Sequence, residues 1–282
     1  MDSKKIGVFS DSFKLGLYGG IAKAAEIGVG AVQIATAGDE ISPEKFDKAN
    51  RRELKRFLQS SGLQIASICG DLGGHGLARA QDNVRKLPKY MQQVDLACDL
   101  DCNVITTHIG VIPEDDTDPR YGVLLDAVGQ LGLYAKHSGV YLAIETGPER
   151  PEVLAGFIHK LSDNVGVNLD PANLVMVTGS DPVKAVYTLR DRIFHTHVKD
   201  GKMLKYAGPE VIYNFFAEGG IGDLRLEEYF IELPLGKGSV NIKAWLAALK
   251  DIDYQGFYTI EREVGENPER DIRFAVDFLR HA

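Results

Sequence analysis

The alternation of short apolar segments with longer amphipathic ones constrains the fold of this chain more than any other feature. Eight segments rich in Val, Ile and aromatic residues have the length and composition of strands buried on both faces. The predicted strands are Ile6–Phe13, Ala31–Thr36, Gln64–Asp71, Asn103–Gly110, Tyr141–Gly147, Val165–Asp170, Ile193–Val198 and Phe257–Glu261. The helices predicted to follow them are Gly20–Ile27, Pro43–Ser60, Asp82–Asp99, Arg120–His137, Pro151–Leu161, Asp181–Leu189, Asn241–Lys250 and Pro268–Arg280.

This order predicts an α/β fold, a (β/α)8 TIM barrel that occupies residues 1–282 as a single domain. The doubly wound alternative lacks support, because no GxGxxG sequence follows the first strand. Proline in the first turn is expected to open several helices, as in SPEKF and SDPVKA. A long insertion at residues 201–238 interrupts the alternation. Because it is rich in aromatic residues, we expect it to form either a lid or an oligomer contact.

Composition excludes several classes of function. The net charge of −8 opposes a nucleic-acid partner whose affinity would depend on phosphate contacts. No apolar run approaches the length of a membrane span, and the first residues are typical of a strand rather than a signal peptide. The three cysteines share no CxxC spacing. This sparse, odd number favours a reducing compartment, which we take to be the cytoplasm.

Four side chains that could bind a metal ion stand where four of the predicted strands end. They are Glu145 in YLAIETGP, Asp170 in VGVNLDPANL, His197 in IFHTHVKDG and Glu261 in FYTIERE. Three carboxylates and one imidazole make a harder, more oxygen-rich set than the thiolates that structural zinc sites favour. If neighbouring barrel strands carry them, they converge at the C-terminal mouth, where such barrels perform their chemistry.

The chain resembles the xylose isomerase-like superfamily of sugar isomerases and epimerases over nearly its whole length. The resemblance rests on IETGPERPE, NLDPANL, HTHVKDG, PLGKGSVNI and YTIEREVGENP, in that order. It implies that Glu145, Asp170, His197 and Glu261 bind one divalent metal ion, with Mn²⁺, Mg²⁺ or Co²⁺ favoured and Zn²⁺ possible. It also implies a small-molecule sugar or sugar-phosphate substrate and a homo-oligomer, either a dimer or a tetramer.

The resemblance implies proton abstraction next to a carbonyl, through an enediolate that a divalent ion stabilises. Glu145 and Glu261 are the expected acid and base, one on each face of the reacting carbon. The leading hypothesis is a metal-dependent sugar or sugar-phosphate isomerase or 3-epimerase. The alternatives are a dehydratase of keto-polyols such as inososes and, in a different class, a sugar-binding barrel without catalytic activity.

Two positions depart from the ketohexose 3-epimerases that the chain resembles. Those enzymes have histidine three residues after the metal-binding aspartate and arginine six residues after the metal-binding histidine. Here these positions are Asn173 and Met203, so a free ketohexose is a less favoured substrate than a pentulose phosphate or a keto-cyclitol.

Other residues near the strand ends are expected to contact substrate. They are His108, Asn173, Lys199, His75 and Asp200. Lys199 could instead pair with an acid, and the glycine-rich loop around His75 could be a tight turn rather than an anion-binding loop. His195 shares a strand face with His197 and is expected to be a hydrogen-bonded core histidine, with support of a metal ligand as the alternative.

Overall fold

A computed structural model describes residues 1–36 and 41–282, which form a closed barrel of eight parallel strands. The ten strands are β1 (Ile6–Phe9), β2 (Ala31–Ala35), β3 (Gln64–Cys69), β4 (Val104–Thr107), β5 (Tyr141–Glu145), β6 (Val165–Leu169), β7 (Ile193–Val198), β8 (Asp200–Met203), β9 (Phe230–Leu233) and β10 (Tyr258–Ile260). Around the barrel they run in the order β1, β10, β7, β6, β5, β4, β3, β2, with β8 and β9 outside it. The predicted (β/α)8 fold is therefore confirmed.

Helices follow the barrel strands and pack around them, and one further helix lies in the insertion. They are α1 (Gly16–Ile27), α2 (Lys48–Ser60), α3 (Ala80–Asp99), α4 (Pro119–His137), α5 (Pro151–Ile158), α6 (Pro171–Asn173), α7 (Pro182–Leu189), α8 (Pro209–Glu218), α9 (Ile242–Asp251) and α10 (Pro268–Arg280). Each of the longer helices turns an apolar stripe towards the strands, as α9 does with the fully buried Trp245 and Leu249. No helix in these described ranges is both long enough and apolar enough to cross a membrane.

Several predicted boundaries were wrong, including the start of the first helix, at Gly16 rather than Gly20, and the end of the fourth strand, at Thr107 rather than Gly110. The first strand ends at Phe9 rather than Phe13, because Ser10–Phe13 turns into a 3-10 helix in which Lys14 N donates to Asp11 O over 3.0 Å. The second helix begins at Lys48 rather than Pro43, because the Asp47 side chain caps it by accepting from Ala49 N and Asn50 N. The SPEKF segment forms a separate turn before this cap.

The insertion at residues 201–238 has secondary structure of its own. Strand β8 pairs with β9 in an antiparallel hairpin, and α8 lies between the two strands in sequence. The hairpin therefore begins directly after β7, the strand that carries His197.

Candidate metal centre

The four predicted ligands meet at the C-terminal ends of four barrel strands. Glu145 is the last residue of β5, Asp170 follows β6, His197 lies near the end of β7 and Glu261 follows β10. Each side chain offers one ligand atom, and these atoms all lie within 4.8 Å of one another. All four side chains are buried. The barrel thus brings the four ligands together although the first and the last, Glu145 and Glu261, are 116 positions apart in the sequence.

His197 Nδ1 lies at the centre of this cluster. It is 3.2 Å from Glu145 Oε1, 3.2 Å from Glu261 Oε2 and 3.5 Å from Asp170 Oδ2. One oxygen of Asp170 caps α6 by accepting from the backbone, whereas Oδ2 is buried and has no hydrogen bond within the described residues. A buried carboxylate oxygen without a hydrogen bond is costly, and a divalent cation bound by this oxygen-rich donor set would satisfy it. The residues present therefore fit such an ion.

The clustered carboxylates shift the protonation of their neighbours. Burial disfavours the charged form of His197, but Glu261 and Glu145 outweigh burial and raise the pKa of the imidazole well above its ordinary value. Burial likewise opposes the charge of Glu261, but His197 and Lys199 outweigh it and lower the pKa of this carboxyl. The centre is thus a compact arrangement of opposite charges in a buried site.

Lys199 is buried against the same cluster. Its Nζ donates to Glu261 Oε2 over 2.9 Å, contacts the Glu263 carboxylate and lies 3.7 Å from Glu232 Oε2 on β9. Lys199 therefore pairs with acids, as the sequence allowed, and its contact with substrate stays a prediction. Glu232 also accepts from Arg262 Nη1 over 2.6 Å, so the hairpin is joined to this charged network.

A layer of polar side chains lies inside the barrel beside the ligands. His195 faces Asn168 Oδ1 at 2.9 Å through Nδ1, and Ser67 Oγ and Thr259 Oγ1 at 3.0 and 2.9 Å through Nε2. It is therefore the hydrogen-bonded core histidine that the sequence suggested. It also reaches the ligands indirectly, since Asn168 Nδ2 donates to Glu145 Oε2 over 2.9 Å. Burial and nearby His197 lower the pKa of His195 well below its ordinary value, so this imidazole is neutral.

Three of the residues expected to contact substrate lie at the mouth of the barrel. Asn173 Nδ2 donates to Glu145 Oε1 over 3.1 Å. His108 is half-buried and holds Asp71 Oδ2 at 3.1 Å through its Nδ1. His75 lies further out, in contact with Glu218 of α8. A Cβ at Gly76 would collide with the backbone of the loop after β4, so the glycine-rich loop is shaped by close packing there.

Asp200, which was predicted to contact substrate, makes hydrogen bonds to the backbone in this structure. Its buried carboxylate accepts from the backbone N–H groups of Gly201, Gly238 and Val240 over 2.8 to 3.1 Å. It therefore joins the two ends of the insertion. A Cβ at Gly238 would collide with this carboxylate, which explains the glycine at that position.

Sequence reasoning missed several residues of the site. Gln33 and Asn168 are fully buried polar residues within apolar strands, in AVQIA and VGVNL. A polar residue within an otherwise apolar, buried strand is the sequence signal that could have identified both residues as part of the site. Asp71, Glu232 and Tyr213 carried no comparable signal, because their relation to the site depends on contacts between distant parts of the chain.

The model of the xylose isomerase-like TIM barrel family matches residues 21–282. The chain belongs to this family. A curated relative, the Bacillus subtilis protein YfiH, is 26% identical over 132 residues. That match covers 46% of this chain and 41% of the length of YfiH.

Solved structures resemble the whole barrel. A xylose isomerase domain protein from Planctomyces limnophilus is 25% identical, with a TM-score of 0.80 over 98% of this chain and 96% of its own. The probable 3-DHS dehydratase AsbF from Bacillus anthracis is 19% identical, with a TM-score of 0.75 over 98% of both chains. A D-psicose 3-epimerase from Clostridium cellulolyticum H10 is 18% identical, with a TM-score of 0.71 over 98% of both chains. These last two similarities show the shared fold.

Proposed function

We propose that this protein is a divalent-metal-dependent isomerase or 3-epimerase of a sugar or sugar phosphate. The observation that carries the proposal is the buried cluster of Glu145, Asp170, His197 and Glu261, in which Asp170 Oδ2 lacks a hydrogen bond within the described structure. Epimerases and a dehydratase among the similar structures support an enzyme of this general type. Mn²⁺, Mg²⁺ and Co²⁺ suit the donor set, and Zn²⁺ is also compatible with it.

The chain's own residues supply the proton transfers. A bound divalent ion would stabilise negative charge on the substrate oxygens. Glu145 and Glu261 enter the site from β5 and β10, on either side of His197, so one can remove the carbon-bound proton and the other can return one. Asn168 and Asn173 donate to Glu145, and Lys199 donates to Glu261, so both carboxylates are held in place.

Substrate oxygens would meet charged donors beside this centre. Burial lowers the pKa of His108, but Glu145, Asp71 and Glu261 outweigh burial and raise it to about 10. In the metal-free protein His108 is then a cation at neutral pH, and its ring N–H can donate to a hydroxyl, a phosphate or a carboxylate. We propose that His108, Lys199 and Asn173 contact the substrate, and that His75 at the rim contacts its distal end.

The test is a screen of ketoses, ketose phosphates and inososes with each of the four metal ions, read by deuterium wash-in from D₂O. The proposal expects deuterium next to the carbonyl of at least one substrate, dependent on the metal ion. Metal-dependent binding of sugars without exchange or turnover would instead support the non-catalytic sugar-binding barrel.

A dehydratase is the second candidate, and the cations at the centre favour it. After the proton next to the carbonyl is removed, loss of a β-hydroxyl as water requires a proton donor on the leaving oxygen. His108 and Lys199 both carry protons close to the carboxylates, as the raised pKa values indicate. In the same screen, the appearance of an enone absorbance would identify elimination, whereas deuterium incorporation without it would identify epimerisation or isomerisation.

We further propose that the protein is a cytoplasmic homo-oligomer and that its insertion is either a lid or an oligomer contact. Exposed large apolar side chains concentrate in this segment. They are Leu204, Tyr206, Val211, Phe216, Ile221 and Ile231. Contacts of α8 with the loops after β3 and β4 support the lid, since Tyr213 packs against His108 with ring centroids 6.5 Å apart.

A further inference from the structure

A buried glutamine on β2 contacts the imidazole at the centre of the cluster. Gln33 Oε1 lies 2.8 Å from His197 Nε2, and Gln33 Nε2 donates to Thr106 Oγ1 over 2.8 Å. Gln33 and Thr106 are fully buried, and His197 is 2% exposed. The opposite nitrogen of the ring, Nδ1, is the one that faces the three carboxylates.

We propose that Gln33 is a positioning residue that holds His197 in the tautomer with its proton on Nε2. An amide oxygen can only accept a hydrogen bond, so the imidazole must donate to it from Nε2. In the neutral ring the lone pair is then on Nδ1 and is directed at the carboxylates, where a metal ligand is needed. This inference rests on the proposed metal-dependent function and adds the residue that selects the ligating nitrogen.

The reverse orientation of the amide would give the opposite ligand chemistry. Gln33 Nε2 would then donate to His197 Nε2, and the ring proton would have to lie on Nδ1, among the carboxylates. Thr106 is compatible with either orientation because its hydroxyl can donate or accept. The cluster decides between them, since a proton on Nδ1 would occupy the position where a divalent ion must bind.

A second buried amide, that of Asn168, fixes the neighbouring His195 in the opposite tautomer. Asn168 Nδ2 donates to Glu145 Oε2, because a carboxylate can only accept. Its Oδ1 therefore faces His195 Nδ1, which must carry the proton, so the one lone pair of Nε2 accepts from the hydroxyl of Ser67 or of Thr259, which lie 3.0 and 2.9 Å away. Two buried amides on separate strands thus assign opposite tautomers to two histidines on one strand.

The experiment measures metal affinity and tautomer in the full-length protein. Mn²⁺ is titrated into metal-free wild type, Gln33→Leu, Gln33→Glu and Gln93→Leu in competition with a chelator. Gln93 is a matched control, because it is 1% exposed and neither of its polar side-chain atoms has a hydrogen bond among the described residues. Long-range ¹H–¹⁵N spectra of metal-free and Mg²⁺-loaded protein report which ring nitrogen carries the proton. The His197 signals are assigned by their loss in His197→Asn.

We expect Gln33→Leu to weaken Mn²⁺ binding by roughly 10- to 100-fold, the usual effect of removing a partner of a metal-binding histidine. Gln33→Glu keeps an acceptor and should bind Mn²⁺ at least as tightly as wild type, and Gln93→Leu should bind it equally. Mg²⁺-loaded wild type should show a proton on Nε2 and none on Nδ1.

A proton on Nδ1 in the Mg²⁺-loaded wild type would overturn the assignment, and so would Gln33→Leu with wild-type affinity. Equal weakening by Gln93→Leu would do the same, because the loss would then follow from general destabilisation. If wild type binds no divalent ion, the proposed function fails. In the metal-free protein the carboxylates keep both ring nitrogens of His197 protonated, so the spectra there test the hydrogen bond from Nε2–H to Gln33, and an Nε2–H signal that Gln33→Leu leaves unchanged would refute that bond.

Discussion

Glu149 should make this protein less stable as the pH rises from 4.5 to 8. It follows Glu145 in the loop between β5 and α5, and its side chain is buried, with 5% exposed. The backbone at Ile112 provides one hydrogen bond, while Oε2 has no partner within the described residues. Burial accordingly raises the pKa of this carboxyl from 4.5 to about 8. Glu149 is therefore uncharged in the folded protein at neutral pH.

The sign of the effect follows from proton linkage. Between pH 4.5 and 8 the unfolded chain releases the proton of Glu149 while the folded protein keeps it, so the free energy of unfolding falls as the pH rises. Each pH unit is equivalent to about 1.4 kcal/mol. The loss relative to pH 4.5 is then about 3 kcal/mol at pH 7 and about 4 kcal/mol at pH 8, where the folded carboxyl is itself half-ionised. Glutamine mimics the uncharged acid at every pH and should remove this dependence.

Urea unfolding of wild type and Glu149→Gln at pH 4.5, 7 and 8 would measure the difference. We expect the two proteins to be nearly equal at pH 4.5 and the variant to be more stable by about 3 kcal/mol at pH 7. Glu152→Gln, which removes an exposed carboxyl at the start of α5, should stay within about 0.5 kcal/mol of wild type throughout. A constant difference between Glu149→Gln and wild type across this range would refute the burial argument.

The remaining predictions concern the centre and the insertion. Glu261→Gln should abolish exchange of deuterium into the substrate even where a metal ion still binds, and full activity by mass spectrometry would remove Glu261 from the catalytic role. Lys199→Met should lower the metal-free free energy of unfolding by about 3–5 kcal/mol, because it leaves buried carboxylates unpaired; urea titration in EDTA should show a larger loss than in excess Mn²⁺. Free ketohexoses should have a kcat/KM at least about tenfold below that of a pentulose phosphate or keto-cyclitol, since Met203 cannot donate a hydrogen bond to a distal hydroxyl; equal values would contradict this. Hydrogen exchange across residues 201–238 should either slow with substrate, as for a lid, or be slow without it, as for an interface, and fast ligand-independent exchange in a monomer would contradict both.

The barrel could be predicted from the sequence because its signals are local. Each strand is a short run of β-branched and apolar residues, and the ends of parallel strands necessarily share one edge of the barrel. That is why Glu145 and Asp170, at the ends of β5 and β6, could be placed together before their distances were known. The predicted strand end at Phe13 was wrong because this apolar residue resembles a continued strand, whereas the polar SDS residues before it form a 3-10 helical turn.

The partners of the ligands could not be predicted in this way. Gln33 is 164 residues from His197, and nothing in AVQIA indicates that its amide meets that particular imidazole. Glu149 follows Glu145 by four residues, but its burial depends on packing against the loop that contains Ile112. Such contacts depend on strand register and on the paths of loops, which the composition of one segment does not determine.

The insertion divides into two parts that are attached to the barrel differently. Its hairpin is fixed close to the metal centre, because Asp200 binds both ends of the segment and Glu232 on β9 reaches Arg262 and lies 3.7 Å from Lys199. Helix α8 is held at the rim by more exposed contacts, including Glu210 with Arg120. Exposed ion pairs contribute at most about 1 kcal/mol each, whereas breaking a buried one costs several times more. A lid movement would therefore displace α8 and leave the hairpin in place, so that Lys199 keeps its surroundings while the mouth opens.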